Sequence, residues 1–202
     1  MNNLHWSQCP FVVVDVEGNG QTPAELVELA TVQVRERKIQ SSRVWGIRPT
    51  APITEYAVSI HGISNEQAAR FPPWSVVSQD IIQELAERVV VGHNVSVDAR
   101  LIRQAEPGWQ PLALVDTLAL AKKVMPGQPS YALSALTKQL LPEAVTSWQR
   151  HRAEGDALVT AALFLKLATL LEQKMELKLL SLVQIAAAAD DNYLQSQQGS
   201  LF

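Results

Sequence analysis

The chain has 202 residues, 47% hydrophobic and 18% charged, with a net charge of −3 and one cysteine. That is enough for one domain with a full core. It excludes an internal disulfide, and a protein that binds nucleic acid mainly by coating phosphates with basic side chains. No run is long and apolar enough to span a bilayer. A lone Cys9, read as a small semi-exposed residue, suits a reducing compartment. MNNLHWSQCP has no basic stretch leading into an apolar one, so no secretory signal and a cytoplasmic location are expected.

Residues 11–16, FVVVDV, are a continuous β-branched run and predict a central strand. GNGQTP is a turn-rich break. ELVELATVQVRERKI and QSSRVWGIRP predict two more strands around a turn at Arg35–Lys38, closed by Pro49 and Pro52. ISNEQAARF predicts a short helix capped by Ser64 or Asn65. PWSVVSQDIIQELAE is amphipathic, with Val76, Val77, Ile81, Ile82 and Leu85 at helical spacing. RVVVGHN predicts a buried strand and SVDARLIRQAE a helix capped by Ser96. PLALVDTLALAKKVMPG runs from a short strand into a helix stopped by Pro126 and Gly127, and SYALSALTKQLL is a further helix. From Asp156 to about Leu171 the chain is a strongly apolar helix. KMELKLLSLVQIAAAAD predicts one more, before the polar tail DNYLQSQQGS. The expected architecture is an α/β domain over residues 1–172, its mixed sheet an antiparallel meander followed by parallel strands and flanked by helices. A C-terminal helix and flexible tail would occupy residues 173–202.

Asp15 and Glu17 lie two apart on a predicted strand, so both carboxylates leave the same face. Side-by-side carboxylates are costly unless something positive sits between them, and a hard divalent cation with oxygen ligands meets that need. A solvated strand end is the other reading of D-x-E. Asp98, early in a helix after a buried strand, and Asp156, opening the long apolar helix with His151 five residues before it, are singly read as caps or dipole partners. Together they make four acids and a histidine at the edges of elements that would face the sheet.

With these residues in place, the sequence resembles the DnaQ-like 3′–5′ exonucleases of the DEDDh type, on a ribonuclease H-like fold with a five-stranded sheet. The resemblance covers roughly residues 10–170. It rests on VVDVEGNG…ELVELATVQV, YAVSIHGIS, VGHNVSVDARLI, LVDTLALAKKVMPGQPSYALSAL and HRAEGDALVTAALF, in that order. The short span between the second motif and Asp116 is similar to exonuclease X-like members. The resemblance implies that Asp15, Glu17, Asp98 and Asp156 hold two Mg²⁺ or Mn²⁺ ions, about 3.5–4 Å apart as in two-metal sites generally. It makes His151 the general base, DNA 3′ ends the substrate and nucleoside 5′-monophosphates the product, in repair or proofreading. Gly18 stands where a Thr commonly follows D-x-E, and Val97 where a Phe is usual.

The resemblance also points to Gly18, Glu28, His61 and Asn94 as substrate contacts. Glu28 reads equally as a solvated strand position, His61 as a turn cap, and Asn94 as a residue that orders the Asp98 loop. Asp116 reads as the cap of the following helix. Arg100, Arg103, Lys122, Lys123, Arg150 and Arg152 could flank a groove, though most surface cations are simply solvated. The five tryptophans are scattered, as core residues are. The closing QGSLF resembles the bacterial sliding-clamp binding peptide, with Leu201 and Phe202 as apolar anchors, Gln198 as a polar latch and the preceding residues as a tether. Rival readings are an exoribonuclease trimming RNA 3′ ends, and a non-catalytic sliding-clamp adaptor. The complete set of acids and His151 speaks against the adaptor.

Overall fold

β1 (Phe11–Gly18) is the middle strand of a five-stranded sheet. In the computed structural model, which describes residues 4–146 and 150–187, the strand order is β3-β2-β1-β4-β5. β2 (Leu26–Arg35) and β3 (Lys38–Gly46) complete the antiparallel meander. β4 (Val89–Gly92) and β5 (Ala113–Asp116) extend the sheet in parallel on the other side. The β2–β3 turn is Glu36-Arg37, both at positive φ (51° and 63°), which matches a two-residue loop to the twist of its strands. The mixed sheet and its order of assembly are those expected from sequence.

The alternation of β1 divides the core. Phe11 and Val13 face one layer with Ala30, Val32, Val91 and Val115. That layer is covered by α5 (Thr117–Val124), α6 (Leu133–Leu140), α7 (Ala153–Glu172) and α8 (Leu179–Ile185). Val12 and Val14 face the other, under α3 (Trp74–Leu85) and α4 (Ser96–Ala105). The rings of Trp6, Phe11 and Phe164 meet in the first layer, with Phe164 edge-on to Trp6 at 5.9 Å and 4.9 Å from Phe11. Leu177, Leu179, Leu182 and Ala186 are buried in the same layer, and the Asp116 N–H donates to the Ala186 carbonyl. The helix expected after residue 172 is therefore packed into the main core.

Three local expectations need correcting. Cys9 is buried, not semi-exposed, because the turn Trp6–Gln8 folds it inward; loss of water around the thiol raises its pKa. Ser96 is not a cap: the chain is already helical at Val95 (φ −56°, ψ −16°), which places Ser96 inside the first turn with no side-chain cap bond. Val76 lies off the buried stripe of α3 and is 68% exposed, whereas Ile81 and Leu85 are fully buried, as a rotation of about 100° per residue dictates. The structure also adds a helix, α1 (Glu55–His61), before the expected short helix α2 (Asn65–Ala68). Thr54 caps α1 through its hydroxyl and Gly62 ends it in the left-handed conformation (φ 75°).

Phe164 is fully buried between two aromatic rings. Phe164→Ala should lower unfolding stability by about 3–5 kcal/mol. Urea unfolding should show this as a lower midpoint at an unchanged slope.

Candidate active site

Asp15 and Glu17 continue the parity of Phe11 and Val13, so their side chains leave β1 on the α7 side. α7 brings Asp156 from its first turn. One carboxylate oxygen from each of Asp15, Glu17 and Asp156 can be chosen so that all three lie within 4.8 Å of one another. Three acids expected to converge do so, from segments 140 residues apart in sequence.

Asp98 reaches the same strand end from the opposite layer. β4 pairs with β1 only from Phe11 to Val13, so N–H groups further along that edge of β1 have no strand partner. Asp98 Oδ1 accepts the Val16 N–H at 3.1 Å. The carboxyl is close enough to raise the pKa of Asp15, yet it lies outside the three-acid cluster. The turn before α4 is held by Asp116, whose Oδ1 accepts both the Asn94 N–H and the Leu118 N–H at 2.8 Å. Asp116 thus caps α5, as expected, and Asn94 (φ 63°) enters through its backbone.

His151 sits on the turn before α7, exposed and in the left-handed region (φ 58°), and its N–H donates to Asp156 Oδ2 at 3.0 Å. The next residue, Arg152, forks onto Glu28: Nη2 lies 2.6 Å from Oε1 and Nε 3.2 Å from Oε2. The Ala153 N–H donates to the same Oε2 at 2.9 Å. Glu28 is buried, and both its oxygens are engaged by the segment that opens α7; it is not the solvated strand position that was one of its readings. Arg152, read from sequence only as one of six groove cations, lies in the site.

His61 is buried at the end of α1. Its Nδ1 accepts the Ile63 N–H at 3.1 Å, so in the neutral ring Nε2 carries the proton. Nε2 is buried without a hydrogen-bond partner among the described residues. Burial lowers the His61 pKa, which favours that neutral ring. Gly18 ends β1 with Leu101 beside it, 3.3 Å from where a Cβ would stand. The loop after it turns at Gly20 (φ 72°), where a Cβ would collide with the Thr54 hydroxyl.

The electrostatics of this corner are unbalanced. Burial, then Asp98, Asp156, Glu17 and Glu28 in turn, drive the Asp15 pKa well above the usual carboxylate range. Burial, then Asp156 and Glu28, push Glu17 up to about 7 against a smaller lowering by Arg152. Burial pushes Asp98 up to about 8 despite its backbone hydrogen bonds. A cluster of hard oxygen donors that protonates rather than stays charged is one that a divalent cation suits, so the residues present fit a metal ion.

The model of the RNase_T exonuclease family matches residues 12–164, and the chain belongs to that family. Over 170 residues it is 29% identical to the 3′-5′ exonuclease DinG of Bacillus subtilis, covering 81% of this chain and 18% of that protein. It is also 29% identical over 170 residues to a PolC-type DNA polymerase III of Thermotoga petrophila, covering 81% and 12%. The chain therefore spans less than a fifth of these curated relatives. Among solved structures, Exonuclease X in complex with 5′ overhanging duplex DNA superimposes with a TM-score of 0.68 at 25% identity, covering 88% of this chain and 99% of that one. Escherichia coli Exonuclease I in complex with a dT13 oligonucleotide has the same fold, with a TM-score of 0.68 at 18% identity, covering 83% and 42%. The fold is the ribonuclease H-like fold of these exonucleases.

The raised carboxyl pKa values set the sign of a pH effect. Glu17 and Asp98 bind protons more tightly folded than unfolded, so their contribution is greatest below their ordinary values. It is lost as pH rises through about 7 and about 8. In chelator, Glu17→Gln should therefore raise the melting temperature at about pH 8.5 and change it little at about pH 5. Thermal melts at the two pH values, with and without Mn²⁺, test this; in wild type Mn²⁺ should stabilise chiefly at the higher pH.

Proposed function

We propose that the chain is a metal-dependent 3′–5′ exonuclease that hydrolyses DNA from its 3′ end and releases nucleoside 5′-monophosphates. The observation that carries this is the convergence of Asp15, Glu17 and Asp156 within 4.8 Å, with Asp98 at the same strand end, in a chain of the exonuclease family. Asp15, Glu17, Asp98 and Asp156 hold the metal, as two Mg²⁺ or Mn²⁺ ions. Bound there, the ions would supply charge stabilisation for the attacking and leaving oxygens. His151, on its exposed turn beside Asp156, takes the proton of the attacking water as its oxygen bonds to the terminal phosphorus. The bond from phosphorus to the 3′ oxygen then breaks. Gly18 and His61 line the end of β1, where the terminal nucleotide lies, and Asn94 shapes the loop that carries Asp98.

DNA is favoured as substrate because Exonuclease X, a structural relative spanned almost end to end, is bound to duplex DNA. The reading places the protein in the cytoplasm, in DNA repair or proofreading. Among the described residues no helix is long and apolar enough to cross a membrane. Gln198, Leu201 and Phe202, outside the described residues, form a clamp-binding peptide that would concentrate the nuclease at DNA held by a sliding clamp.

Digestion of labelled single-stranded DNA, duplex DNA and RNA with Mg²⁺, then with chelator, tests the reading. DNA should lose 5′-monophosphates from its 3′ end, and chelator should stop the reaction. His151→Ala should lower kcat by about 10²–10⁴-fold, and Asp15→Asn should abolish turnover. Hydrolysis of RNA alone would put the exoribonuclease in its place. Wild-type rates in both variants would overturn the mechanism. For the tail, removal of residues 198–202 should abolish co-elution with a sliding clamp while leaving hydrolysis of free DNA intact.

A further inference from the structure

Glu17 of β1 lies directly opposite Glu28 of β2. Partners in register project to the same face of the sheet, and like charges so placed repel. The structure answers with one side chain: Arg152 turns its fork onto Glu28 and offsets part of the charge felt by Glu17.

The same contact starts a helix. Arg152 is the N-cap residue of α7, extended at φ −129° and ψ 128°, and makes no side-chain cap bond. The Ala153 N–H, first of the groups a helix leaves unpaired, is satisfied by Glu28 of β2. A carboxylate from another strand thus does the work that a local Ser or Asp does elsewhere. His151 is the residue before the fork. Asp156 follows one turn after it, its N–H bonded to the Arg152 carbonyl. Ser42 of β3 adds a second tie, donating to Glu154 Oε1 at 2.7 Å.

We propose that Glu28 and Arg152 are a positioning pair, which touches no reacting atom and holds His151 and Asp156 in place against the acids of β1. This rests on the exonuclease reading for its effect on turnover, and on the geometry alone for its effect on the segment. Arg152 spends Nε and Nη2 on Glu28, with its side chain 48% exposed at the surface beside it.

The test is the double substitution Glu28→Gln with Arg152→Gln, which removes the ion pair at unchanged net charge and leaves neither partner's charge unpaired. Amide hydrogen exchange over residues 150–157 should quicken, and Mn²⁺ affinity, read by electron paramagnetic resonance, should fall about 10-fold or more. On DNA, kcat should fall by a similar factor with KM within about twofold, as expected for lost positioning. Arg152→Lys, which keeps the charge but not the fork, should fall between. Wild-type exchange, Mn²⁺ affinity and kcat in the folded double variant would overturn the proposal. So would a rise in KM at unchanged kcat, which would put Arg152 on the substrate. If the double variant does not fold, Arg152→Lys decides by the same readouts, and wild-type values there overturn it. If wild type cleaves no nucleic acid, the exonuclease reading fails, while exchange and Mn²⁺ binding still judge the pair.

Discussion

Five carboxyl groups crowd the end of β1, and the cores on the two faces of the sheet hold them there against their mutual repulsion. Asp98, Asp156, Glu17 and Glu28 raise the affinity of Asp15 for protons, and Asp156 and Glu28 raise that of Glu17. Arg152 is the guanidinium that opposes them at Glu17. Such an arrangement is a net cost to the folded chain unless cations or protons arrive. A fold retains it only where the surrounding core is large enough to impose it. Here the imposing elements are two: the aromatic and aliphatic layer under α7, and the layer under α4.

The sheet's mixed topology explains why these groups can meet. On one side β1 pairs with β2 along its whole length; on the other it pairs with β4 for three residues only. Past Val13, among the described residues, the β4 edge of β1 has no strand pairing, which leaves room there for side chains from the flanking layers. Asp98 fills the vacant edge from one layer. Asp156 arrives from the other, carried by a helix whose first N–H is bound to Glu28 of β2. The acids belong to different layers of the molecule and share only the strand end.

Much of this was legible in the chain. Continuous β-branched runs at 11–16 and 89–91 marked the buried strands, and the D-x-E spacing placed two acids on one face. The helix α1 was not legible, because Tyr56, Val58 and Ile60 alternate with smaller or polar residues as in a strand. In the helix Tyr56 and Ile60 share the solvent side while Ala57 and His61 face inward. The part played by Glu28 and Arg152 was hidden for another reason. It depends on which residue of β2 faces Glu17, a matter of pairing register that residue types alone do not specify. Arg152 adjoins His151 in sequence, and that adjacency was the available clue. Ser96 misled because a serine ahead of a helical run is usually its cap, and here the chain turns helical one residue sooner.

The site draws on β1, on α4 some eighty residues later, and on the first turn of α7 beyond residue 150. During synthesis the carboxyls at 15 and 17 therefore emerge long before their companions. The three-acid cluster cannot assemble until the first turn of α7 has left the ribosome. The late placement of Asp156 keeps this cluster of acids from existing in any fragment that stops short of α7.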